Sequence, residues 1–484
     1  MGLSEILSEF GSIKDQIRKN SLAGPHSGGR SDGLSLAMDY SDMAKYVVGS
    51  LFNLTRNSFG GTVPGIGVFL YGSPGRNEMV CESDLDVLLA YRDNSQVYLD
   101  FKSRFGEFVS PFRFCKIDLP EWGTMDELAL FASRSITEGN QVLECRFVEG
   151  DRDINRQVRE IQERFGGIER MTRNIIFQRF YFDQYFRQRM RRGAVNVKYC
   201  DGGSRDFLFL HWFNLLMGKK HLGWDKTGNG ERPVAEIALS NIYKNGLMTS
   251  LEFSRAIEAL NFNVLLRNEV LLANKDTPDE GLTLLDDETV GKVFERNPPF
   301  LDDYGIRSSD EIKKRFDEQR YHIAVIKNRI WNFIIDDQSK ERGQRWANDF
   351  KMAYSPGTPK DDRRKLLHHD DILIKTGLIW GASNSGQGGL IREISEIERD
   401  STSWEVLASL ASSPLCPPEF LDYVGTGIGK EMAYGYILRI ISRNPRTNTE
   451  TIRNIANDDR VAIRYAQCAK AALKHGRGAA NHQV

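Results

Sequence analysis

The hydrophobic pattern of this chain changes its period near residue 67. Between Gly67 and about residue 120, short apolar runs such as VFLY and LDVLLAY are separated by glycine, proline and charged residues, which is typical of β-strands. After about residue 124, apolar residues recur at steps of three and four, as they do on amphipathic helices. This order predicts an α+β fold in which a small mixed-sheet domain is followed by a helical bundle.

Breaks in the pattern divide the chain into several predicted domains, as expected for 484 residues, which exceed what one hydrophobic core usually serves. The Gly- and Ser-rich segment at 21–36 and the polar segment at 338–362, which contains SPGTP, are the strongest breakers. We expect N-terminal helices over residues 1–54, the sheet domain over 55–135, a helical domain over 136–340 and a C-terminal helical module over 363–476.

The C-terminal module contains a weak internal repeat. SSPLCPPEFLDYV at 412–424 aligns with RNPRTNTETIRNI at 443–455, an offset of 31 residues. Each copy has proline, a polar turn and glutamate, followed by apolar residues. A turn and a short amphipathic helix repeated at this period predict an α-solenoid, in which neighbouring repeats bury each other's apolar faces. A plain helical cap with similar helix starts is the alternative.

The bulk composition excludes several classes of protein. The 65 Lys and Arg residues nearly cancel the 66 Asp and Glu residues, so the field of the whole chain does not attract a polyanion. The six cysteines are scattered, without the paired spacing of a zinc site or a disulfide framework. No apolar run is long enough to span a bilayer, and the first twenty residues lack the apolar core of a signal peptide. We therefore expect a cytoplasmic protein with no membrane partner.

The stretch FLYGSPGRNEMVCESDLDVLLA at 69–90 contains the candidate site. Alternate side chains of a strand share a face, so Asp84 and Asp86 are expected to project together while Leu85 packs in the core. Two neighbouring carboxylates repel each other unless a divalent cation neutralises them, and hard oxygen ligands suit Mg²⁺. The upstream turn at Gly72 and Ser73 offers backbone N–H groups and a hydroxyl to phosphates. The alternative is an ordinary edge strand with solvated carboxylates.

Two motifs in this stretch resemble a known signature. GSPGRNE at 72–78 and SDLD at 83–86 are similar to the GGYGRGE…SDIDLL signature of bacterial PII-protein uridylyltransferases and, more distantly, of glutamine-synthetase adenylyltransferases. Both families belong to the polymerase-β-like nucleotidyltransferase superfamily. Further similar segments follow in the family's order, so that the resemblance extends over residues 60–335: NQVLECRFVEGD, then NVK with GGSRD, then MTSLEFSRAIEALNFNVLLRNEVLLA.

The resemblance implies that residues 55–135 form a nucleotidyltransferase domain, which moves UMP or AMP from an NTP to an acceptor hydroxyl and releases pyrophosphate. It implies that Asp84 and Asp86 are catalytic and bind Mg²⁺ in a two-metal site, with Mn²⁺ as the alternative metal. Gly72 and Ser73 are expected to bind the triphosphate. The expected acceptor is a protein, and RNA is the alternative acceptor.

A third carboxylate normally completes a two-metal site and acts as the base toward the acceptor hydroxyl. Asp118, at the end of the run FRFCKID, is the candidate for this catalytic and metal-binding role. This region aligns poorly with the uridylyltransferases, so Glu121 and Asp126 stay open as alternatives. A solvated strand end without a catalytic role is a further interpretation.

Five more residues are expected to bind the nucleotide. Arg76 and Glu78 match family positions, and Arg76 contacts either phosphate or Glu78 in the two interpretations. Lys198 and Arg205 are expected to reach the phosphates from the helical domain. Asp206 belongs to the same motif and is also placed to cap the helix that follows it.

The chain departs from the family after the helical domain. Full PII uridylyltransferases carry a metal-dependent hydrolase domain with a His…His-Asp…Asp pattern and two small glutamine-sensing domains, for which this chain is too short. HHDD at 368–371 lacks the further partners of a metal site, so we interpret it as a chance doublet. We therefore expect neither hydrolysis nor glutamine sensing, and the C-terminal module is the candidate for choosing the acceptor.

Two other functions stay open. The helix RNIIFQRFYFDQYFRQRMRRG interleaves arginines with aromatic residues, which favours an RNA- or tRNA-nucleotidylating toxin or defence factor if the rings are exposed. The same pattern is typical of a buried helix with snorkelling arginines. The other alternative is a non-catalytic pseudo-enzyme that binds nucleotide and acts through its helical modules, against which the presence of both Asp84 and Asp86 argues.

Overall fold

The computed structural model describes most of the chain, namely residues 2–23, 32–61, 63–110, 117–118, 123–134, 137–187, 195–198, 200, 202–220, 232–276, 283–401, 403–426, 435–457, 466, 469–470 and 472–473. Within these ranges, only the backbone is described for residues 20–23, 117, 118, 134, 137, 138, 174, 178, 181–187, 219, 220, 435, 436 and 439.

Four strands form one small sheet: β1 (Ile66–Leu70), β2 (Leu85–Tyr91), β3 (Ile117–Asp118) and β4 (Arg146–Gly150), in the order β3-β2-β1-β4. β1 pairs antiparallel with β2 and with β4, whereas β3 pairs parallel with β2. All five residues of β1 are buried, as expected for a central strand that is covered on both faces. β1 and β2 form from the apolar runs that predicted strands.

Helices account for most of the other described residues, which confirms the predicted α+β class. Fourteen described helices precede residue 343: α1 (Leu3–Ala23), α2 (Gly33–Ser58), α3 (Gly72–Gly75), α4 (Gln96–Val109), α5 (Met125–Arg134), α6 (Thr137–Glu144), α7 (Arg152–Phe165), α8 (Ile168–Arg187), α9 (Ser204–Lys220), α10 (Val234–Lys244), α11 (Ser250–Ala273), α12 (Asp287–Glu295), α13 (Phe300–Asp303) and α14 (Ser309–Arg342). Two short strands, β5 (Val195–Asn196) and β6 (Leu284–Leu285), pair antiparallel.

The helices after residue 343 are α15 (Gln344–Tyr354), α16 (Lys360–Arg364), α17 (Ile372–Asn384), α18 (Gly388–Ile397), α19 (Trp404–Ser412), α20 (Pro418–Thr426), α21 (Gly435–Arg443) and α22 (Thr449–Asn457). None of the helices in the described part of the chain combines the length and the apolar character that crossing a membrane requires.

Contacts between residues divide the chain into two compact units. The first unit comprises Met1–Ala132, Glu138–Met171 and Met190–Ile330, and therefore contains the sheet together with α9 to α13. The second unit comprises Ser133–Thr137, Thr172–Arg189 and Trp331–Val484. Most of α8 thus belongs with helices that follow it by more than 140 residues in the sequence, and α14 contributes to both units.

The sheet is covered on one face by α5, α6 and α7. Alternate residues of β1 and β2 share that face with apolar side chains of these helices. The buried cluster consists of Phe69, Tyr71, Leu88, Ala90, Leu128, Phe131, Ala132, Val142, Cys145, Ile154 and Val158. Burial of each large side chain of this kind stabilises the fold by about 1.5–3 kcal/mol. The packing holds the ends of β1 and β2 in place, and the candidate site lies at those ends.

Helix α11 is the central helix of the first unit and packs against α2, α9, α10 and α12. It begins at a capping box in which the Thr249 hydroxyl accepts the Glu252 N–H and the Glu252 carboxylate accepts the Thr249 N–H. Its second half is apolar or buried on nearly every side. A helix of this kind has little freedom to shift, so the polar residues that it does carry are held in fixed positions.

In the second unit, the helices after α15 pack in a regular order. α15 packs on α17, α17 on α19, and α19 on α21, while α20 packs on α22. Hydrogen bonds between polar residues connect equivalent positions in successive layers of helices. Ser383 at the end of α17 hydrogen-bonds to Ser413, and Asn444 donates to the Ser413 carbonyl at 2.9 Å. These three residues are 30 and 31 positions apart. The second of these spacings equals the 31-residue offset of the sequence repeat, and the first is one residue shorter.

Candidate active site

Gly72 lies directly against the Asp86 carboxylate. β1 ends at Leu70, and the Tyr71 N–H still donates to the Asp86 carbonyl at 3.0 Å, so the antiparallel pairing extends one residue further. The chain then turns into α3 through Gly72, whose φ is +63°. A Cβ on Gly72 would overlap the carboxylate and lie 2.9 Å from Cγ of Asp86. Both the backbone conformation and the missing side chain therefore require glycine here.

Asp84 and Asp86 flank the first residue of β2. Leu85 is fully buried, whereas Asp86 is half-buried and Asp84 is exposed. The alternation puts both carboxylates away from the core side occupied by Leu85. The structure differs from the expectation in one detail, because β2 begins at Leu85 and Asp84 is the residue before it. Asp84 therefore belongs to the end of the loop that enters the strand.

The backbone brings Asp118 beside Asp86. In the parallel pairing of β2 with β3, Asp86 and Asp118 are register partners. The side chain of Asp118 and the whole of Glu121 lie outside the described residues. Asp126 lies beyond the bridge between Tyr91 and Thr124, five residues along β2 from Asp86, which corresponds to roughly 16 Å of strand. Register therefore favours Asp118 over Asp126 as a third carboxylate near Asp86.

Arg76 forms a buried ion-pair network with two carboxylates. Its Nε donates to Glu78 at 2.9 Å, and its Nη1 donates to Glu144 at 2.9 Å. Only 11% of the Arg76 side chain is exposed. Burial alone would lower the pKa of Arg76, but the attraction of Glu144 and Glu78 outweighs it and the pKa is raised. Arg76 therefore contacts Glu78, as one of its two interpretations predicted.

Glu78 also fastens α10 to this network. Its other carboxylate oxygen accepts the Ala235 N–H at 3.0 Å, and the Arg76 carbonyl accepts the Val234 N–H at 3.0 Å. The residue before α10 is Pro233, which provides no side-chain cap, so Glu78 supplies the anionic acceptor that the start of the helix needs. Arg76 and Glu78 thus hold the loop in place, and their predicted contact with nucleotide stays a prediction.

Glu144 is a site residue that the sequence analysis did not single out. Its carboxylate bridges the Arg76 guanidinium and the Gly72 N–H, which donates at 3.1 Å. The Gly72 N–H is therefore engaged by a carboxylate, whereas the described residues supply no hydrogen-bond partner for the Ser73 N–H or hydroxyl. Glu144 lies within NQVLECRFVEGD, a segment already noted for its resemblance to the family, and that signal could have identified it.

His211 of α9 is buried near the same network. Burial, reinforced by the charges of Arg76 and Arg146, lowers the pKa of His211 well below its ordinary value. Burial likewise lowers the pKa of Arg146, with Arg76 adding to the shift and Glu78 and Glu144 opposing it. The imidazole is therefore neutral at physiological pH. The neutral ring therefore adds no third positive charge near Arg76 and Arg146.

The GGSRD element lies where β5 leads into α9. The Asp206 carboxylate accepts the Gly202 N–H at 2.6 Å and pairs with the buried Lys327 at 2.8 Å, so its charge is used within the fold. Lys198 lies in the turn before α9 and Arg205 in its first turn, and both are half-buried. Their contact with phosphates stays a prediction, and Asp206 has a stabilising role at the start of the helix.

The loop that leads to Asp84 is fastened by three helices. The Met79 N–H donates to the Ser41 hydroxyl of α2 at 3.2 Å, and Lys14 of α1 pairs with Glu82 at 3.0 Å. From α11, the Asn268 side chain accepts the Cys81 N–H at 3.1 Å. The residues in these contacts are up to 187 positions apart in the sequence, so no local pattern could have predicted the contacts. They define the position from which the chain enters β2.

Two other features have structural explanations. Phe177 and Phe180 of α8 are buried in the second unit, where Phe180 contacts the rings of Trp331 and Trp380. Because Phe177 and Phe180 are buried, their rings are not accessible for stacking on RNA bases. The side chains of α8 after residue 180 lie outside the described residues. In the HHDD segment, the Asp371 carboxylate caps α17 and the His369 Nδ1 accepts the Asp371 N–H at 3.0 Å. Both residues there stabilise a helix start.

The donor chemistry of the site fits a divalent cation. Asp84 and Asp86 provide hard carboxylate oxygens, and because Gly72 has no Cβ, the Asp86 carboxylate can lie directly against the Gly-Ser turn. Among the side chains that the structure describes, which exclude that of Asp118, no three His, Cys, Asp or Glu residues form a metal-binding group. No protein-family model matches the chain, and no curated protein is significantly similar to it.

Proposed function

We propose that this chain is a metal-dependent nucleotidyltransferase of the polymerase-β type, which transfers UMP or AMP from an NTP to an acceptor hydroxyl. The observation that carries the proposal is the contact between Gly72 and Asp86, which joins the Gly-Ser turn to the acidic strand. A nucleotidyltransferase needs a turn for the phosphates next to carboxylates for the metal. An ordinary acidic edge strand has no need of a glycine pressed against its carboxylate.

The reaction forms a bond between the acceptor oxygen and the α-phosphorus and breaks the bond from that phosphorus to the bridging oxygen of pyrophosphate. Asp84 and Asp86 would hold Mg²⁺, or Mn²⁺, which when bound reduces the negative charge on the reacting phosphate oxygens. Asp118 is the proposed base that takes the proton of the acceptor hydroxyl, because its register position is beside Asp86. Ser73 is the proposed donor to the terminal phosphates.

Labelled nucleotides provide the direct test. The full-length protein is incubated with each of the four NTPs labelled at the α-phosphate, with Mg²⁺ and a cell extract, and transfer of label to macromolecules is measured. We expect transfer from UTP or ATP, complete loss of transfer in Asp84→Asn and Asp86→Asn, and retention in Asp100→Asn, an exposed carboxylate outside the site. Transfer by both site variants at the wild-type rate would overturn the proposal.

The same experiment identifies the class of acceptor. Label that resists ribonuclease and is released by protease is on a protein, which is the acceptor we propose. Label that resists protease and is released by ribonuclease is on RNA, as expected for an RNA-nucleotidylating toxin or defence factor. The burial of Phe177 and Phe180 removes two of the rings that would have stacked on bases, so the described residues favour a protein acceptor. Failure of all transfer with retained NTP binding would identify a pseudo-enzyme.

We further propose that α17 to α22 form an α-solenoid that selects the acceptor. Support comes from the order in which the helices pack and from the contacts at Ser383, Ser413 and Asn444, which are spaced by 30 and 31 residues, close to the 31-residue repeat. Stacked repeats present extended surfaces that commonly bind other proteins. We also propose a cytoplasmic location, where NTP is abundant and where the thiols stay reduced, including the buried, free cysteines 81, 145, 200 and 416.

A further inference from the structure

Arg267 of α11 lies next to the acidic end of β2. Its Nη2 is 3.5 Å from the Ser83 hydroxyl, and Ser83 immediately precedes Asp84. The residues around it on α11, from Phe262 to Leu266 and from Asn268 to Leu272, are buried, whereas Arg267 is half-buried. The buried second half of α11 thus carries an arginine beside the loop that enters the strand.

The proposed ligand needs a positively charged side chain to neutralise part of its negative charge. A nucleoside triphosphate brings several negative charges, of which a bound divalent cation neutralises only part. Arg76, the arginine nearest to the Gly-Ser turn in sequence, pairs with Glu78 and Glu144 and is largely buried. Its charge is therefore balanced within the fold. The planar guanidinium of another arginine can bind two phosphate oxygens at once, which a lysine cannot.

The turn of α11 that carries Arg267 also contacts the loop that leads to Asp84. The neighbouring Asn268 accepts the Cys81 N–H through its side chain at 3.1 Å, and its carbonyl accepts the Cys81 thiol at 3.3 Å. The Asn268 amide is itself fixed by Glu269, to which it donates at 3.1 Å, and Glu269 pairs with Arg296 at 3.0 Å. The position of the Arg267 backbone relative to Asp84 is therefore set by buried contacts, which lowers the cost of ordering a phosphate site.

One turn earlier, α11 reaches the GGSRD element. Asn263 accepts a hydrogen bond from the Ser204 hydroxyl at 2.6 Å, and Arg205 follows Ser204. Asn263 and Arg267 are four residues apart, which corresponds to about 6 Å along a helix. α11 therefore links the loop of Asp84 to the segment that carries Arg205 and Lys198.

We propose that Arg267 binds the polyphosphate of the NTP donor, an assignment that rests on the proposed nucleotidyl transfer. The guanidinium would contact the β- and γ-phosphates while Asp84 and Asp86 hold the metal on the same triphosphate. Arg267 is then a binding residue for any nucleoside triphosphate, because it contacts the part that all four share. Selection of the base belongs to other residues.

The test measures binding apart from catalysis. Binding of inorganic pyrophosphate and of NTP with Mg²⁺ is measured by calorimetry on the full chain, for wild type, Arg267→Ala and Arg267→Lys. We expect Arg267→Ala to weaken binding of both ligands at least 10-fold and Arg267→Lys to recover part of the loss. The matched control is Arg255→Ala, which removes an exposed arginine 12 residues earlier on α11, about 18 Å away along the helix. Thermal unfolding verifies that each variant is folded.

The outcomes separate this proposal from the function on which it rests. Equal affinity of wild type and folded Arg267→Ala for pyrophosphate and NTP overturns the assignment of Arg267, whatever the Asp84 and Asp86 variants do. Equal weakening by Arg255→Ala also overturns it, because the effect is then one of net charge. Loss of binding specific to Arg267→Ala supports it even before an acceptor is known. If the wild type binds neither ligand and transfers no label, the proposed function and the assignment both fail.

Discussion

The Cα of Gly72 and the carboxylate of Asp86 are so close that no side chain larger than hydrogen fits between them. The two residues are 14 positions apart, and the antiparallel pairing of β1 with β2 brings them together. Because Gly72 also has a positive φ, its backbone can make this approach at low cost, whereas another residue would be strained in the same position. The contact places the Gly-Ser turn, which is proposed to bind phosphate, against one of the two carboxylates that are proposed to bind the metal.

Gly72→Ala should therefore damage both activity and stability. The positive φ alone costs an alanine about 1–2 kcal/mol, and overlap with Asp86 forces the carboxylate to move. We expect loss of most nucleotidyl transfer and a lower urea midpoint. The matched control is Gly291→Ala, in the interior of α12 with open space around it, which should stabilise by up to about 1 kcal/mol. Unchanged transfer by Gly72→Ala would contradict the proposed site.

The third carboxylate can be identified by comparing two aspartates. Asp118 is the register partner of Asp86, whereas Asp126 is exposed in the first turn of α5 and far along the strand. We expect Asp118→Asn to reduce the rate of transfer at least 100-fold, on the order of the loss of general base catalysis, and Asp126→Asn to leave it unchanged. Single-turnover rates with labelled NTP provide the measurement. The reverse result would place the base on α5.

Local signals in the sequence were enough to identify the residues at the centre of the candidate site. The period of two in β2 predicted that Asp84 and Asp86 share a face, and the Gly-Ser turn predicted where phosphates would bind. Those signals depend on neighbours within a few residues. The role of Arg76 could not be read in the same way, because its partner Glu144 is 68 residues away and only folding brings them together. From the sequence alone, Arg76 was as well suited to bind a phosphate as to pair with a carboxylate.

The arrangement of the units illustrates the same limit. Helical periodicity predicts that α8 is a helix, but it does not predict against which hydrophobic core the apolar face of α8 packs. Residues 172–187 belong with the chain from residue 331 onward, because Phe177 packs on Trp404 and Phe180 packs on Trp331. The boundary predicted at residue 363 falls within α16, where Arg363 is fully buried and donates to the Ala353 carbonyl at 3.1 Å. Contacts of this kind depend on tertiary packing.

Glu144→Gln tests the network that supports the Gly72 turn. The neutral amide leaves the buried Arg76 with one carboxylate instead of two. Because Glu78 still compensates the Arg76 charge, the cost should be smaller than the roughly 3–5 kcal/mol of leaving a buried charge without any partner. We expect a lower free energy of unfolding in urea together with reduced affinity for NTP, since Glu144 also holds the Gly72 N–H. Glu160→Gln, which breaks a solvent-exposed pair with Arg156, should have a much smaller effect on stability. Equal effects of the two variants would show that the network is unimportant.

His211 should make the stability of the protein depend on pH. Burial and the neighbouring Arg76 and Arg146 hold its pKa well below 6.5, so below pH 6.5 the unfolded chain binds a proton that the folded chain does not. The folded state therefore loses stability as the pH falls below 6.5, by on the order of 1 kcal/mol per pH unit from this group. His211→Gln removes that contribution. Urea unfolding at pH 7.5 and 5.5 should show a smaller loss in the variant, and equal losses would refute the assignment.

Asn444→Ala distinguishes a solenoid from a plain helical cap in the second unit. Asn444 is buried and donates to the carbonyls of Ala411 and Ser413, at 2.6 and 2.9 Å, so that it joins the end of α21 to the end of α19. Its removal deprives the Ala411 carbonyl of this donor, at roughly 1–3 kcal/mol, while the Ser413 carbonyl keeps the Cys416 N–H at 3.1 Å. The control Asn384→Ala removes an exposed amide and should cost little. Hydrogen exchange is the measurement that separates the two architectures.

In a solenoid, each repeat depends mainly on its neighbours, so the damage should decline with distance from the substituted layer. Amide protection should then fall most in α21 and α22, less in α19 and α20, and little in α17 and α18. A plain cap is one cooperative block, and its helices would lose protection together. A uniform loss would therefore contradict the solenoid. A graded loss would support it, because the contact at Asn444 then couples adjacent layers of the stack.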